Sequence, residues 1–557
     1  MQPQPAHLAR VLSPPGADSI DEGFQPETDG GARHRMTTTT TIDRAEARRH
    51  ATRSPWHVFL AAFALLFALS GAWAFASPLM SVPDEPAHTI HAAAVVRGEF
   101  TGEPSDVQAG AADVEVPEYV ADTAELACFA FAPSVPASCQ EPLTDSTQQE
   151  EATTSAGSYN PLYYLVVGLP SLVLEGEPAL YAMRLLSAAL SSALLAAAVV
   201  ALSQMRARAW TLTAVAVAVT PMVVFIMGSV NPSSMEITSA IMLFSWASLL
   251  AQRRSEGFPR HRIALVVVAA VVLANTRSIG LLWLLLIVVA TLLDLSLLRA
   301  LARRAAFWVG AAVIGLGAAA GLLWTLTSQS LSPGVPYVGA GSSFLSGFNR
   351  MIFITFENGQ GYVGLFGWID TPAPATTVLL WGFAMLALIV AALVFGRGRA
   401  RFGTAVLAVA MVLVPPIVQG FAVTDYGYIW QARYILAILT CLVIAAGMAL
   451  DDAFPSTLRR RESLRLVTVG LVVLAVLHVH TVVWVFRRYV TGLQDGIGWR
   501  AMVTAPSWQP PLTWEFWTVV VAATVLVAGL VVRAAIARSW SSPVEPAHEP
   551  ERVDAAS

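Results

Sequence analysis

Residues 56–88 read WHVFLAAFALLFALSGAWAFASPLMSVPDEPAH. The nineteen residues Val58–Ala76 carry no charge. As a helix they cover about 28 Å, close to the roughly 30 Å hydrocarbon core of a bilayer. The run then breaks at proline and delivers Asp84 and Glu85, held between Pro83 and Pro86, to one membrane surface. The whole chain repeats this logic of long apolar runs joined by short polar ones.

The 557 residues are 55% hydrophobic and 13% charged, about half the charge of a soluble domain. The fold class expected is an all-α polytopic membrane protein of about twelve spans. They are placed at 56–77, 180–203, 209–228, 233–251, 262–276, 279–298, 305–327, 375–395, 402–421, 433–450, 466–486 and 515–536. Residues 1–54 lack apolar periodicity and read as a disordered cytoplasmic N-terminus, with Met36 a candidate start. The membrane domain then covers 55–538. It includes an outer region at 78–178 and a second outer loop at 328–374. Residues 539–557 read as a disordered cytoplasmic tail. A net charge of −4 argues against a nucleic-acid partner.

Arginine supplies the entire basic count, and its placement orients the chain. Arg44, Arg48, Arg49 and Arg53 precede the first span. Arg206 and Arg208, then Arg253, Arg254, Arg260 and Arg262, then Arg299, Arg303 and Arg304 lie in alternate loops. So do Arg397, Arg399 and Arg401, then Arg459, Arg460, Arg461 and Arg465, and finally Arg533 and Arg538. Loop 78–157 holds Arg97 against fourteen Asp and Glu residues. The positive-inside rule therefore puts both termini in the cytoplasm and the acidic loop outside. Arg487 and Arg488, at an outer span end, are the exception. Cys128 and Cys139 share the outer loop, where a disulfide between them is chemically reasonable. Cys441 lies in an apolar run.

Two segments need arbitration. Residues 262–298 as one helix would run about 55 Å, too long for the bilayer. Two short spans joined outside at Asn275-Thr276-Arg277-Ser278 are expected instead. Leu162–Leu174 is too short to cross and contains Pro170. It is expected as a re-entrant or interfacial helix on the outer face.

The acidic pair admits three readings. Asp84 or Glu85 caps a helix opened by Pro86. One of them is a general base, a carboxylate whose low-dielectric setting lets it take a proton from a hydroxyl. Or Asp84, His88 and His91, on one helical face, bind a metal. The metal is the least favoured, and no cofactor is assigned.

The stretch Pro83-Asp84-Glu85-Pro86-Ala87-His88 resembles a signature of the bacterial domain of unknown function 2142 family of multi-pass membrane proteins. Asn160-Pro161-Leu162-Tyr163-Tyr164, Gly364-Leu365-Phe366-Gly367-Trp368-Ile369-Asp370 and Gln431-Ala432-Arg433-Tyr434 resemble three further motifs, so the likeness runs from about residue 56 to 490. Ala432 departs from the glycine often found there. The family is similar in architecture to the GT-C glycosyltransferases, which take sugar from a polyprenyl-phosphate carrier and place an acidic base just after span one. The resemblance implies Asp84 or Glu85 as base. Transfer from a lipid phosphate calls for a cation to stabilise the leaving phosphate, and Arg433, Arg277 and Arg184, in that order, are the candidates. His88, Asn231, Glu236, Trp368, Asp370, Gln431 and Tyr434 are candidate substrate contacts. The expected partners are the lipid bilayer, a polyprenyl-phosphate-linked sugar, and a glycan or glycolipid acceptor.

The function expected is a cytoplasmic-membrane glycosyltransferase acting on an extracytoplasmic cell-envelope acceptor. The alternatives are a transporter or export component for envelope glycan or lipid, and a non-catalytic assembly factor.

Overall fold

The computed structural model describes residues 54–328, 336–454, 460–494 and 498–539. The expected N-terminal disorder, with Met36 and Arg44, Arg48, Arg49 and Arg53, lies outside the described residues. So do Arg459 and the tail beyond Ser539.

The first apolar run forms α1, Pro55–Ala76, with proline at its first turn where the missing N–H costs nothing. Trp56, Phe59, Phe63 and Phe67 stack along one side at helical spacing. Next come α2 (Glu85–Val95) and a sheet of β1 (Glu103–Pro104), β2 (Ala112–Pro117) and β3 (Gln149–Thr154). The sheet is antiparallel in the order β1-β2-β3, with Ala112 opposite Thr154 and Pro117 opposite Gln149. A disulfide joins Cys128 to Cys139, whose Cα atoms are 6.1 Å apart.

The remaining helices of seven residues or more begin with α3 (Gly176–Ser203), α4 (Ala209–Ala218), α5 (Pro221–Met227), α6 (Ser233–Gln252) and α7 (Arg260–Ala274). They continue with α8 (Gly280–Leu292), α9 (Leu295–Ala302), α10 (Ala305–Thr327) and α11 (Phe344–Glu357). The hairpin β4 (Leu365–Phe366) and β5 (Thr371–Pro372) leads to α12 (Ala375–Phe395) and α13 (Gly398–Tyr426). Then follow α14 (Leu436–Ala453), α15 (Arg460–Thr491) and α16 (Trp514–Ser539).

The protein is a mostly helical, polytopic membrane protein. Among the described residues nine helices are long and apolar enough to cross, or up to eleven spans if each of two bent pairs counts once. The expected count of about twelve is approximate. It includes α7, whose fifteen residues cover only about 22 Å.

Both bends have local causes. The span expected at 209–228 breaks into α4 and α5, bent by 65°. Pro221 opens α5, and Thr220 caps it, its Oγ1 accepting from Val223 N at 3.3 Å and donating to Tyr362 O at 3.0 Å. The span expected at 279–298 ends at Leu292, and α9 leaves α8 at 100°. Asp294 caps α9 by accepting from Leu297 N at 2.9 Å. The turn at 275–278 does join α7 to α8. Leu162–Leu174 is corrected from one helix to two separate turns, Tyr164–Val167 and Leu169–Leu172. Gly168 between them packs so close to α2 that a Cβ would stand 2.1 Å from Ala92 O.

Helix α6 is the hub. The whole of its most apolar eighteen-residue stretch is buried, against 11% for α10 and for α16. Three of its hydroxyls, those of Thr238, Ser239 and Ser245, are satisfied within the helix. Ser245 Oγ donates to Ile241 O at 2.7 Å and Thr238 Oγ1 to Ser234 O at 2.8 Å. The outermost helices expose Trp308, Leu316, Leu323, Leu379, Phe383 and Leu526, the apolar coat a bilayer requires.

The bundle has two chemically different ends. At one, Arg206 donates to Ser255, and Asp294 pairs with Arg254 and Arg399. Asp451 caps α4 there, accepting from Trp210 N at 3.0 Å and Thr211 N at 2.9 Å. At the other, the loop end, lie α2, the sheet and the turn 275–278.

Candidate functional site

The site begins at the end of α1. Met80 and Asp84 both adopt left-handed backbone, with φ of 61° and 66°. Aspartate tolerates this conformation better than most residues. The kink sends the neighbouring carboxylates of Asp84 and Glu85 to different partners. Asp84 stands at the N-cap of α2, yet its side chain makes no cap hydrogen bond. The capping reading of Asp84 is therefore set aside.

Glu85 turns inward. Its Oε1 accepts from Arg184 Nε at 2.7 Å and Val230 N at 3.1 Å, and its Oε2 from Arg184 Nη2 at 2.6 Å. Arg184 also donates to the carbonyls of Ala74, Ser77 and Pro78, at 2.9, 2.9 and 2.7 Å. Those carbonyls, at and just beyond the end of α1, would otherwise lack helical partners. Glu85 and Arg184 are 0% and 1% exposed. The two side chains enclose each other at the end of α1.

Asp84 turns the other way. It forms an ion pair with Arg433, and its side chain is 44% exposed while that of Arg433 is 6% exposed. Arg433 Nη1 also donates to Pro83 O at 3.2 Å. Burial pushes the Asp84 carboxyl up, but the charges around it, Arg433 first, together outweigh burial and hold the group below its ordinary value. Although the protein around it is dense, the carboxylate itself keeps an open face.

A second acid–arginine pair stands beside the first. Arg277, in the turn between α7 and α8, reaches Glu236 on α6 at 3.4 Å and Ser233 Oγ at 3.2 Å. Glu236 is fully buried and also accepts from Trp283 Nε1 at 3.1 Å. Tyr434 joins the two pairs. Its ring centroid lies 4.7 Å from the Arg277 guanidinium carbon and 5.6 Å from that of Arg433. Tyr159 lines the other side of Arg277 at 5.9 Å and meets His88 edge-on at 5.3 Å. His88 Nδ1 is 2.8 Å from the Tyr164 hydroxyl. Burial lowers His88 to about 3 and His91 to about 4, so both rings are neutral near pH 7.

The remaining candidates serve the frame. Asn231 Nδ2 donates to Pro83 O at 3.3 Å and its Oδ1 accepts from Ser233 N at 3.0 Å. Gln431 precedes the short turn Ala432–Ile435, its carbonyl accepting from Tyr434 N at 3.1 Å. Trp368 Nε1 donates to Met80 O at 3.0 Å, and its ring meets Phe131 edge-on. Asp370 pairs with Arg488 at 3.3 Å. Trp368 and Asp370 thus tie the Gly364–Asp370 stretch to Met80 and Arg488. Ala432, where glycine was expected, packs on Gly361, at which a Cβ would come within 2.3 Å of the Ala432 methyl carbon.

Sequence reasoning missed Tyr159, Tyr164 and Arg488. The first two flank or belong to the Asn160-Pro161 motif. The motif itself is tied to the Arg277 turn, with Asn160 Nδ2 3.3 Å from Asn275 Oδ1. Arg488, the apparent violation of the charge rule, is fully buried and donates to the carbonyls of Phe129, Ala132 and Val135. Among the described residues no group of three or more His, Cys, Asp and Glu side chains is placed to hold a metal ion.

All four motifs quoted from the sequence thus meet around Met80–His88 at one end of a helical bundle. The fold and this convergence define a class of multi-pass membrane protein with an ion-paired site at its loop end. The chain belongs to the family described as "Predicted membrane protein (DUF2142)", whose model matches residues 66–442. No curated protein matches the chain. Among solved structures, ArnT from Cupriavidus metallidurans bound to undecaprenyl phosphate is similar at 16% identity and a TM-score of 0.43. That match covers 88% of this chain and 74% of the other.

Proposed function

We propose that the chain is a GT-C-like glycosyltransferase that moves a sugar from a polyprenyl-phosphate donor to an extracytoplasmic acceptor in the cell envelope. The arginine-rich end faces the cytoplasm, by the positive-inside rule, and the loop end faces out of a bacterial cytoplasmic membrane. The observation that carries the reading is the Asp84–Arg433 pair. It joins residues 349 positions apart, and its carboxylate is partly open. A base and a phosphate-binding cation, side by side at a membrane surface, are the two groups such a transfer needs.

In the proposed step the acceptor hydroxyl oxygen attacks the anomeric carbon. The bond from that carbon to the phosphate oxygen breaks, and its electron pair leaves with the polyprenyl phosphate. Asp84 takes the hydroxyl proton. Arg433 stabilises the leaving phosphate, with Arg277 beside it. Both acid–arginine pairs of the site stand at the loop end, which favours surface chemistry over a carrier pathway through the bilayer.

The test is transfer in proteoliposomes holding the full chain, a panel of polyprenyl-phosphate sugars and an envelope glycolipid extract. Wild type should transfer label, while Asp84→Asn and Arg433→Gln should fail although they insert and fold. Full transfer by Asp84→Asn would remove the base.

A further inference from the structure

The two acid–arginine pairs beside Tyr434 differ in one respect that matters for a ligand. Glu236 is fully buried and held by Trp283 as well as Arg277. Asp84 is partly exposed, and no cap hydrogen bond to α2 detains it. Arg433, by contrast, is buried and fixed. One N–H of Nη1 goes to Pro83 O and one of Nη2 to Asp84 Oδ2, while its Nε is buried with no hydrogen-bond partner. A phosphate approaching from the open side, where Asp84 stands, gains the Nη2 hold that the carboxylate now has by taking its place.

We propose that Asp84 and the donor's phosphate compete for Arg433, so that Asp84 is latched in an ion pair until the anion displaces it. The latch rests on the glycosyltransferase reading for the identity of that anion. It links binding to reactivity. A carboxylate beside a guanidinium is a weak proton acceptor, and one released from it is a stronger one. The base is therefore silent while the donor site is empty and becomes available when the donor arrives. Glu85 cannot stand in, because Arg184 encloses it. Arg277 supplies a second positive charge across Tyr434, which keeps the chamber attractive to an anion during the exchange.

The probe is farnesyl monophosphate, titrated by calorimetry into the full chain in detergent micelles. Farnesol and inorganic phosphate serve as controls for the lipid tail and the anion alone. If the carboxylate competes, Asp84→Asn should bind farnesyl monophosphate on the order of fivefold more tightly than wild type. Arg433→Gln should lose most of the affinity, and farnesol should bind all three alike. Unchanged or weaker binding by a folded Asp84→Asn overturns the latch. Asp84→Ala removes the same carboxylate and decides the question if the asparagine variant does not fold. The two readings separate cleanly. Tighter binding by Asp84→Asn with no sugar transfer by wild type leaves the latch and removes the transferase. Transfer by wild type without tighter binding by the variant does the reverse.

Discussion

Glu85 and Arg184 face each other through two parallel hydrogen bonds, 2.7 Å from Nε to Oε1 and 2.6 Å from Nη2 to Oε2, with neither side chain meaningfully exposed. The pair ties α3 to the turn after α1 and to the backbone of Val230. Breaking one side of a buried pair typically costs about 3–5 kcal/mol, because the other charge stays behind in a dry site. Glu85→Gln and Arg184→Met are thus expected to lower the melting temperature and the folded yield on size-exclusion chromatography. A Glu85→Gln protein that melts like wild type yet has lost transfer would return this residue to the chemistry.

Asp84→Asn is expected to behave oppositely. Its side chain holds no cap and keeps an open face, so folding should survive. Loss of a general base reduces rates by roughly 10²–10⁴-fold. Melting temperature and initial transfer rate, measured on the same preparation, separate the neighbours. Similar melting losses at positions 84 and 85 would argue against the division of labour.

Acid should weaken the loop end through its histidines. An unfolded imidazole titrates near 6.5, whereas burial holds His91 at about 4. Between those values the unfolded chain binds a proton that the folded ring refuses, so stability falls as pH drops through that window, by up to about 1.4 kcal/mol per pH unit for one group. His91→Phe should flatten the melting profile between pH 6.5 and 4. A wild-type curve parallel to the variant's would exclude the ring as the cause. Asp84 acts lower. Its depressed value leaves its contribution in place above pH 3.8 and removes it as pH falls further, through the folded value.

The Cys128–Cys139 bond closes the stretch that supplies Phe129, Ala132 and Val135 carbonyls to Arg488. A loop this short is worth roughly 3 kcal/mol in the chain-entropy model. Cys128→Ser should speed protease cleavage between residues 129 and 138, and Arg488→Met should do the same. Cleavage rates equal to wild type in both would uncouple the disulfide from the α15 end.

Much of this was legible in the sequence because lipid and charge write large. Uncharged runs and alternating arginines located most spans and the loop end. Asp84, Arg433 and Arg277 stood out as charges that spanning lipid does not require. Which of Asp84 and Glu85 is enclosed and which keeps an open face was not legible. It depends on one left-handed φ, and adjacent residues in a proline-flanked turn look equivalent until that angle is known. The sheet was also hidden. Ala112–Pro117 alternates apolar and charged residues for only one short strand, and its partner Gln149–Thr154 is almost wholly polar and shows no such alternation. The bend between α4 and α5 did carry a signal, Thr220 before Pro221, but inside a continuous apolar run the hydropathy masks it. Arg488 looked like an error in topology because its carbonyl partners lie about 350 residues away, in a segment with no regular structure.

Helix α6 has a consequence for biogenesis. It carries Glu236 and several serines and has no lipid-facing side in the finished bundle. On insertion scales a single buried acid costs roughly 2.5–3.5 kcal/mol at a helix centre, and somewhat less near an end. Alone at the translocon, this segment is a poor entrant into the bilayer. Its shelter comes partly from α3, made before it, and partly from α8 and its preceding turn, made after it, which bring Trp283 and Arg277. The polar partners of Glu236 are therefore all made after the helix that carries it, within residues 277–283.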